Sequence, residues 1–195
     1  MTTNALRTLT PAECMIPLAT PAAGALAVAV MSLVIALCAQ VSVPLPFTPV
    51  PLTGSTLGVL CAGALLGSRM GPAAVALYLL EGSMGLPFFA GGAAGAAHLA
   101  GPTGGYLLGF VAGAWVTGLL AERGWGRNAF AALAMMLAGS SAIFLCGLLG
   151  LSRFVPQDAL LAQGLFPFIP GDIAKSCLCA ALLPMGRRWL GSRER

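Results

Sequence analysis

From Cys14 to Ser68 the chain carries no Asp, Glu, Lys, Arg or His. An uncharged run of that length holds two membrane spans at about 20 residues each, and it excludes most soluble folds. Composition points the same way, with 58% of the 195 residues hydrophobic and 8% charged, against roughly 45–50% and about 25% in soluble domains. The apolar residues come in blocks rather than in alternation, and Pro and Gly cluster between the blocks, so helices fit better than a β-barrel. The expectation is an all-α membrane protein with six transmembrane helices over 22–190. It is preceded by a segment 1–21 with no apolar core ahead of a cleavage site, and followed by a basic tail 191–195. No soluble domain remains. A net charge of +4 is too small and too dispersed for nucleic acid.

The first span, Ala22 to about Gln40, begins with small side chains, and Ala25 and Ala29 stand four apart as a surface for close helix approach, within the bundle or on a partner subunit. Pro44, Pro46, Pro49 and Pro51 then forbid a helix and predict a stiff, extended loop, a candidate lid. Two short spans follow, Thr53 to Gly67 and Pro72 to Gly82, joined by residues 68–71. Their shortness implies that a neighbouring loop takes up part of the membrane depth or that the bilayer thins. An irregular apolar stretch, 82–92, leads to His98 and then to Gly101-Pro102-Thr103-Gly104-Gly105-Tyr106. A fourth span runs from there to about Ala121, with Thr103 as its cap and Gly105, Gly109 and Gly113 as a packing ridge. The fifth span is Ala129 to about Gly150, and the sixth Asp172 to about Trp189.

Six spans put both termini on one side, together with Arg69, Arg123 and Arg127. That side also holds Arg7, Arg187, Arg188, Arg193 and Arg195, whereas the opposite loops hold only Arg153. The positive-inside rule makes it cytoplasmic. The proline loop, Glu81, the 101–106 segment and the start of the sixth helix then fall together in the outer half, where a substrate pocket is expected.

Asp172 and Lys175 share one face of the sixth helix beside its free N–H groups. Together they suit a small ligand with donor and acceptor ends; alternatively Asp172 caps the helix and Lys175 snorkels to the interface. Glu81 in apolar surroundings needs Lys175, His98 or a ligand as partner. The glycines at 104 and 105 let backbone approach a ligand closely, with Tyr106 as an aromatic wall and Phe88 as one of several outer-loop aromatics. These glycines follow no strand and precede no Gly-Lys-Ser/Thr, so they are not a phosphate loop. An intramembrane hydrolase pairing His98 with Ser140 or Ser141 lacks an oxyanion motif and suffers from their separation in depth. Cys14, Cys38, Cys61, Cys146, Cys177 and Cys179 form no Cys-x-x-Cys pair, and neither disulfide nor metal is expected.

Four stretches then resemble the BioY family: Pro49-Val50-Pro51-Leu52-Thr53; Tyr78 through Gly82 continuing from Gly85 to Gly92; Gly101 to Tyr106; and Pro167-Phe168-Ile169-Pro170-Gly171-Asp172-Ile173-Ala174-Lys175. The resemblance covers about 22–190. It implies a six-helix biotin-binding S-component of an energy-coupling-factor (ECF) transporter in a prokaryotic cell membrane, with both termini cytoplasmic. It implies no enzymatic step, no cofactor and no metal. The implied partners are biotin, a transmembrane coupling subunit docking on the small-residue face at Ala25 and Ala29, a pair of cytoplasmic ATPases, and membrane lipid. By resemblance Asp172 and Lys175 contact biotin, with Glu81, Thr53, Ser55, Gly104, Gly105, Tyr106 and Phe88 as further candidates. One departure stands out: family members commonly carry Thr-Leu-Gln-Thr where this chain has Thr53-Gly54-Ser55-Thr56. Ser55 is too short to replace a Gln directly, which leaves room for an altered pocket, a bridging water, weaker affinity or another vitamin.

Overall fold

A computed structural model describes residues 20–191, with backbone alone for 182–191. Arg7, Cys14, Arg193 and Arg195 lie outside the described residues, as do the side chains of Arg187 and Arg188, and so does nearly all of the expected N-terminal segment and basic tail. Helix α1 is Pro21–Gln40; the Thr20 hydroxyl accepts from the Ala23 N–H, and Pro21 opens the first turn, where a missing N–H costs nothing. A two-stranded ribbon pairs β1 (Ser42–Val43) with β2 (Leu52–Thr53) antiparallel. It pinches off the proline loop 44–51.

Helix α2, Ser55–Ser83, is broken at Gly67, whose φ of 80° and ψ of −173° are not helical. A Cβ placed on Gly71 would lie 2.9 Å from Gly63 Cα, whereas eight residues along a straight helix span about 12 Å. The chain therefore folds back, and α2 is two antiparallel arms, 55–66 and 68–83. The link expected at 68–71 is itself helical, with Pro72 inside the second arm. Glu122 caps that arm from another helix: its carboxylate accepts the Ser68 N–H at 2.7 Å and the Ser68 hydroxyl at 3.0 Å, satisfying donors that a helix start leaves open.

Beyond a 3₁₀ turn at Ala90–Gly92 come the short helix α3 (Ala96–Leu99), α4 (Gly104–Glu122) and α5 (Ala129–Leu151), then α6 (Leu160–Gly164) and α7 (Ile169–Gly191). Thr103 precedes α4 without a capping bond; its hydroxyl pairs with His98 Nε2 instead, at 3.3 Å. The ridge of Gly105, Gly109 and Gly113 packs on α5, where added Cβ atoms would strike Gly150, Cys146 and Ile143 at 2.9 Å or less. Among the described residues α1, α2, α4 and α5 are long and apolar enough to cross a membrane. With α2 doubled back and α7 added, the bundle has six passes. The expected all-α membrane fold is present, with one ribbon of four residues as its only described sheet.

Two starts lie deep. Ser140, eleven residues from either end of α5 and so about 17 Å from each, donates to Asp172 in the first turn of α7 at 3.0 Å. The connection after α5 thus turns back into the bundle before α7 begins. The first arm of α2 also starts far inside, because the proline loop and ribbon fill the depth above it. That is the physical reason its apolar run is short.

Candidate functional site

The proline loop covers a cavity whose polar edge is Asp172, Lys175 and the turn that launches α2. Its larger lobe, about 430 Å³ of empty space partly open to solvent, is lined mainly by Leu52, Tyr106, Phe110, Ile143, Phe144 and Phe168, with Asp172, Lys175, Thr53 and Thr56. A second lobe of about 350 Å³ shares Val50, Pro51, Thr53, Tyr106 and Phe110 and adds Ser55, Tyr78, His98 and Thr103. Together they form an apolar chamber with a few placed polar groups, the make-up of a small-ligand site.

Lys175 reaches across to α2, donating to the Thr53 carbonyl and, at 3.0 Å, to the Thr56 hydroxyl. An ammonium has three donors, so one N–H is left without a partner among the described residues. Asp172 is 6% exposed; Ser140 engages its Oδ1, and no described side chain is bonded to the other oxygen. The two residues form no ion pair with each other among the described residues. Neither the cap nor the snorkelling alternative describes them, since Asp172 bonds a hydroxyl on α5 and Lys175 points to α2.

The other expected site residues divide. Thr53 lines both lobes, and its hydroxyl lies 2.6 Å from the buried Ser55 hydroxyl. Tyr106 walls both lobes, while its own hydroxyl donates to the Gly164 carbonyl at 2.6 Å and so fixes α6. Gly104 and Gly105 do not reach the cavity: Gly104 lies against the Leu99 carbonyl and Gly105 against Gly150, each too close for a Cβ. Phe88 packs at the core's edge. Its neighbour Phe89, fully buried, stacks on His98 with centroids 5.3 Å apart and meets Tyr78 edge-on at 5.7 Å. Glu81 is one turn beyond Tyr78 and off the cavity wall; its Oε2 is buried without a hydrogen-bond partner. Burial holds the His98 imidazole below its usual pKa and favours the neutral ring. The hydrolase pairing is not formed, since Ser140 bonds Asp172, Ser141 bonds the Leu137 carbonyl, and His98 bonds Thr103. On α1, Ala25 is exposed and Ala29 half-buried.

Phe168, one of the outer-loop aromatics, lines the larger lobe, whereas the roles of Thr56, Ser140 and Thr48 at the site were not foreseen from sequence. Thr48 ties the proline loop down by donating to the Gln163 carbonyl at 2.8 Å. Hydroxyls among apolar residues carry no periodic signal, and Thr48 is placed by a contact 115 residues distant.

A sequence model of the BioY family matches residues 10–192. The chain belongs to the BioY family. A protein named biotin transporter BioY from Rhizobium etli is 37% identical over 159 residues, covering 77% of this chain and 85% of that one. A Thermotoga maritima protein of the same name is 40% identical over 142 residues, covering 72% and 82%. Among solved structures, the S-component for biotin from an ECF-type ABC transporter superposes with a TM-score of 0.77 at 28% identity, covering 96% of this chain and 95% of that one. This chain thus shares sequence with the BioY relatives and its bundle architecture with the S-component for biotin.

Proposed function

We propose that this BioY member is the membrane-embedded substrate-binding subunit of an ECF-type biotin transporter, and that it captures biotin without a chemical step. The observation that carries the reading is the pair of unspent valences at the chamber's polar edge, one N–H of Lys175 and one oxygen of Asp172. Biotin offers ureido N–H donors and carbonyl and carboxylate acceptors on an otherwise apolar bicycle. Asp172 accepts from the ureido group and Lys175 donates to a ligand carbonyl or carboxylate, while Tyr106, Thr53 and Ser55 complete the wall. Gly104, Gly105, Phe88 and Glu81 shape the site from behind it.

The chamber opens to the outside and both termini are cytoplasmic in a prokaryotic cell membrane. Supporting this, Arg69, Arg123 and Arg127 cluster at the end where Glu122 meets Ser68, opposite the proline loop, as the positive-inside rule requires. Energy comes from a transmembrane coupling subunit and cytoplasmic ATPases, docked on the small-residue surface around Ala25 and Ala29, and lipid surrounds the rest. A second reading, the same fold serving another vitamin, draws on the polar second lobe at Ser55, His98 and Thr103. Purified protein is expected to retain labelled biotin and to release thiamine and riboflavin on washing. Retention of either of those in place of biotin would overturn the first reading.

A further inference from the structure

We infer that Cys61 and Cys179 form a redox-active dithiol that, when oxidised, fastens α7 to the first arm of α2 directly beneath the site. Their sulfurs are 3.1 Å apart across 118 residues of sequence, about 1 Å more than the roughly 2.05 Å of a disulfide. Both are free thiols as they stand. The spacing along the chain hides this pair, which is unbridged in the structure as the sequence leads one to expect.

Position gives the pair its consequence. Cys179 is one turn beyond Lys175 on α7, and Cys61 follows Thr56 on α2. The reduced protein therefore holds these two helices together at this level through the Lys175 bonds to Thr53 and Thr56, and oxidation adds a covalent tie along the same seam. A rigid displacement of α7 that carries Lys175 away from the α2 turn separates the two cysteines as well.

The oxidant is a lipid hydroperoxide of the surrounding bilayer. One thiol, as thiolate, attacks the terminal peroxide oxygen, breaking the O–O bond to give a sulfenic acid and an alcohol. The second thiol then displaces water from that sulfur, forming the S–S bond. Two thiols are oxidised and one hydroperoxide is reduced, so no further electron donor or acceptor is needed.

Purified full-length protein treated with cumene hydroperoxide is expected to lose two hydrogens by intact mass and to yield a Cys61–Cys179 linked peptide. That peptide should be absent from Cys61→Ser and Cys179→Ala and present in Cys177→Ala. Cys38 lies within electrostatic reach of both thiols, and a bridge to Cys38 in place of the expected one overturns the assignment, as does failure of any bridge to form. The bridged protein should melt at higher temperature in detergent, and dithiothreitol should reverse the gain; an unchanged melt refutes the clamp. The effect on ligand rests on the proposed function. Release of labelled biotin should slow about tenfold on bridging, mostly as a change in off-rate. Absence of biotin retention by reduced protein would refute the biotin reading alone, because the linked peptide and the melt are read without ligand.

Discussion

Replacing Lys175 by Met keeps the length of the side chain and removes its charge and all three donors. Two of those donors serve the protein, at the Thr53 carbonyl and the Thr56 hydroxyl, and the third faces the proposed ligand contact. A hydrogen bond involving a charged group contributes about 1.5–3 kcal/mol. Loss of the ligand contact alone therefore raises the biotin Kd by about 10- to 150-fold. Loss of the other two loosens the α2 turn, which Thr56→Val isolates: it removes one neutral hydroxyl partner, about 1 kcal/mol, or about fivefold in Kd. Equilibrium binding of labelled biotin to the detergent-purified proteins, with melting curves as a check on folding, separates the two contributions. If Lys175→Met weakens biotin binding no more than Thr56→Val does, Lys175 is a structural tie and the ligand role assigned to it is wrong.

Ser140→Ala leaves the buried Asp172 without its described partner, and it should weaken biotin binding by about 1–3 kcal/mol while Ser141→Ala leaves binding unchanged; isothermal titration of both variants checks this. Thr48→Val cuts the bond from the proline loop to Gln163, and it should speed biotin release by about fivefold, for a bond of about 1 kcal/mol, in a stopped-flow chase. Ser55→Gln extends a long amide into the second lobe at the underside of Val50 and Pro51; slower biotin release is expected, and faster release would mean that the ligand itself needs the space. The depressed pKa of His98 means that the unfolded chain binds its proton more readily. Its contribution is therefore neutral above the unfolded value of about 6.5 and turns destabilising as pH falls below it, so melting temperature should drop more between pH 7 and pH 5 in wild type than in His98→Asn.

What could be read from the sequence was whatever the bilayer imposes. Blocks of apolar residues, the proline loop and the charge asymmetry each answer to hydrocarbon thickness and backbone satisfaction, and the fold followed from them. The glycine ridge on α4 was also readable, because spacing along one helix fixes which face it lies on. Gly104 and Gly105 show why a glycine alone is ambiguous: it reports that something comes close, and here that something is the Leu99 carbonyl and Gly150. Gly54 is a similar case: a Cβ there would lie 2.6 Å from the Cys38 carbonyl. The departure from Leu to Gly next to Ser55 is thus tied to how tightly α1 crosses the α2 turn in this chain, a contact invisible in either segment alone.

Depth was the least legible feature, and it changes how the acid and base are understood. Charge counting puts Asp172 at the mouth of a helix near the surface, where water would solvate it. In the structure that mouth lies at the level of the middle of α5, where an unpaired charge is expensive. Ser140, Thr53 and Thr56, each carrying no charge of its own, supply the compensation, yet they leave one donor and one acceptor unused. A site that only stabilised the fold would have closed that last pair, for instance by bringing the two side chains together one turn apart on α7. Holding them apart, each tied to a different helix, keeps two opposite valences available on an apolar wall, an arrangement whose cost a ligand with matching ends relieves when it enters.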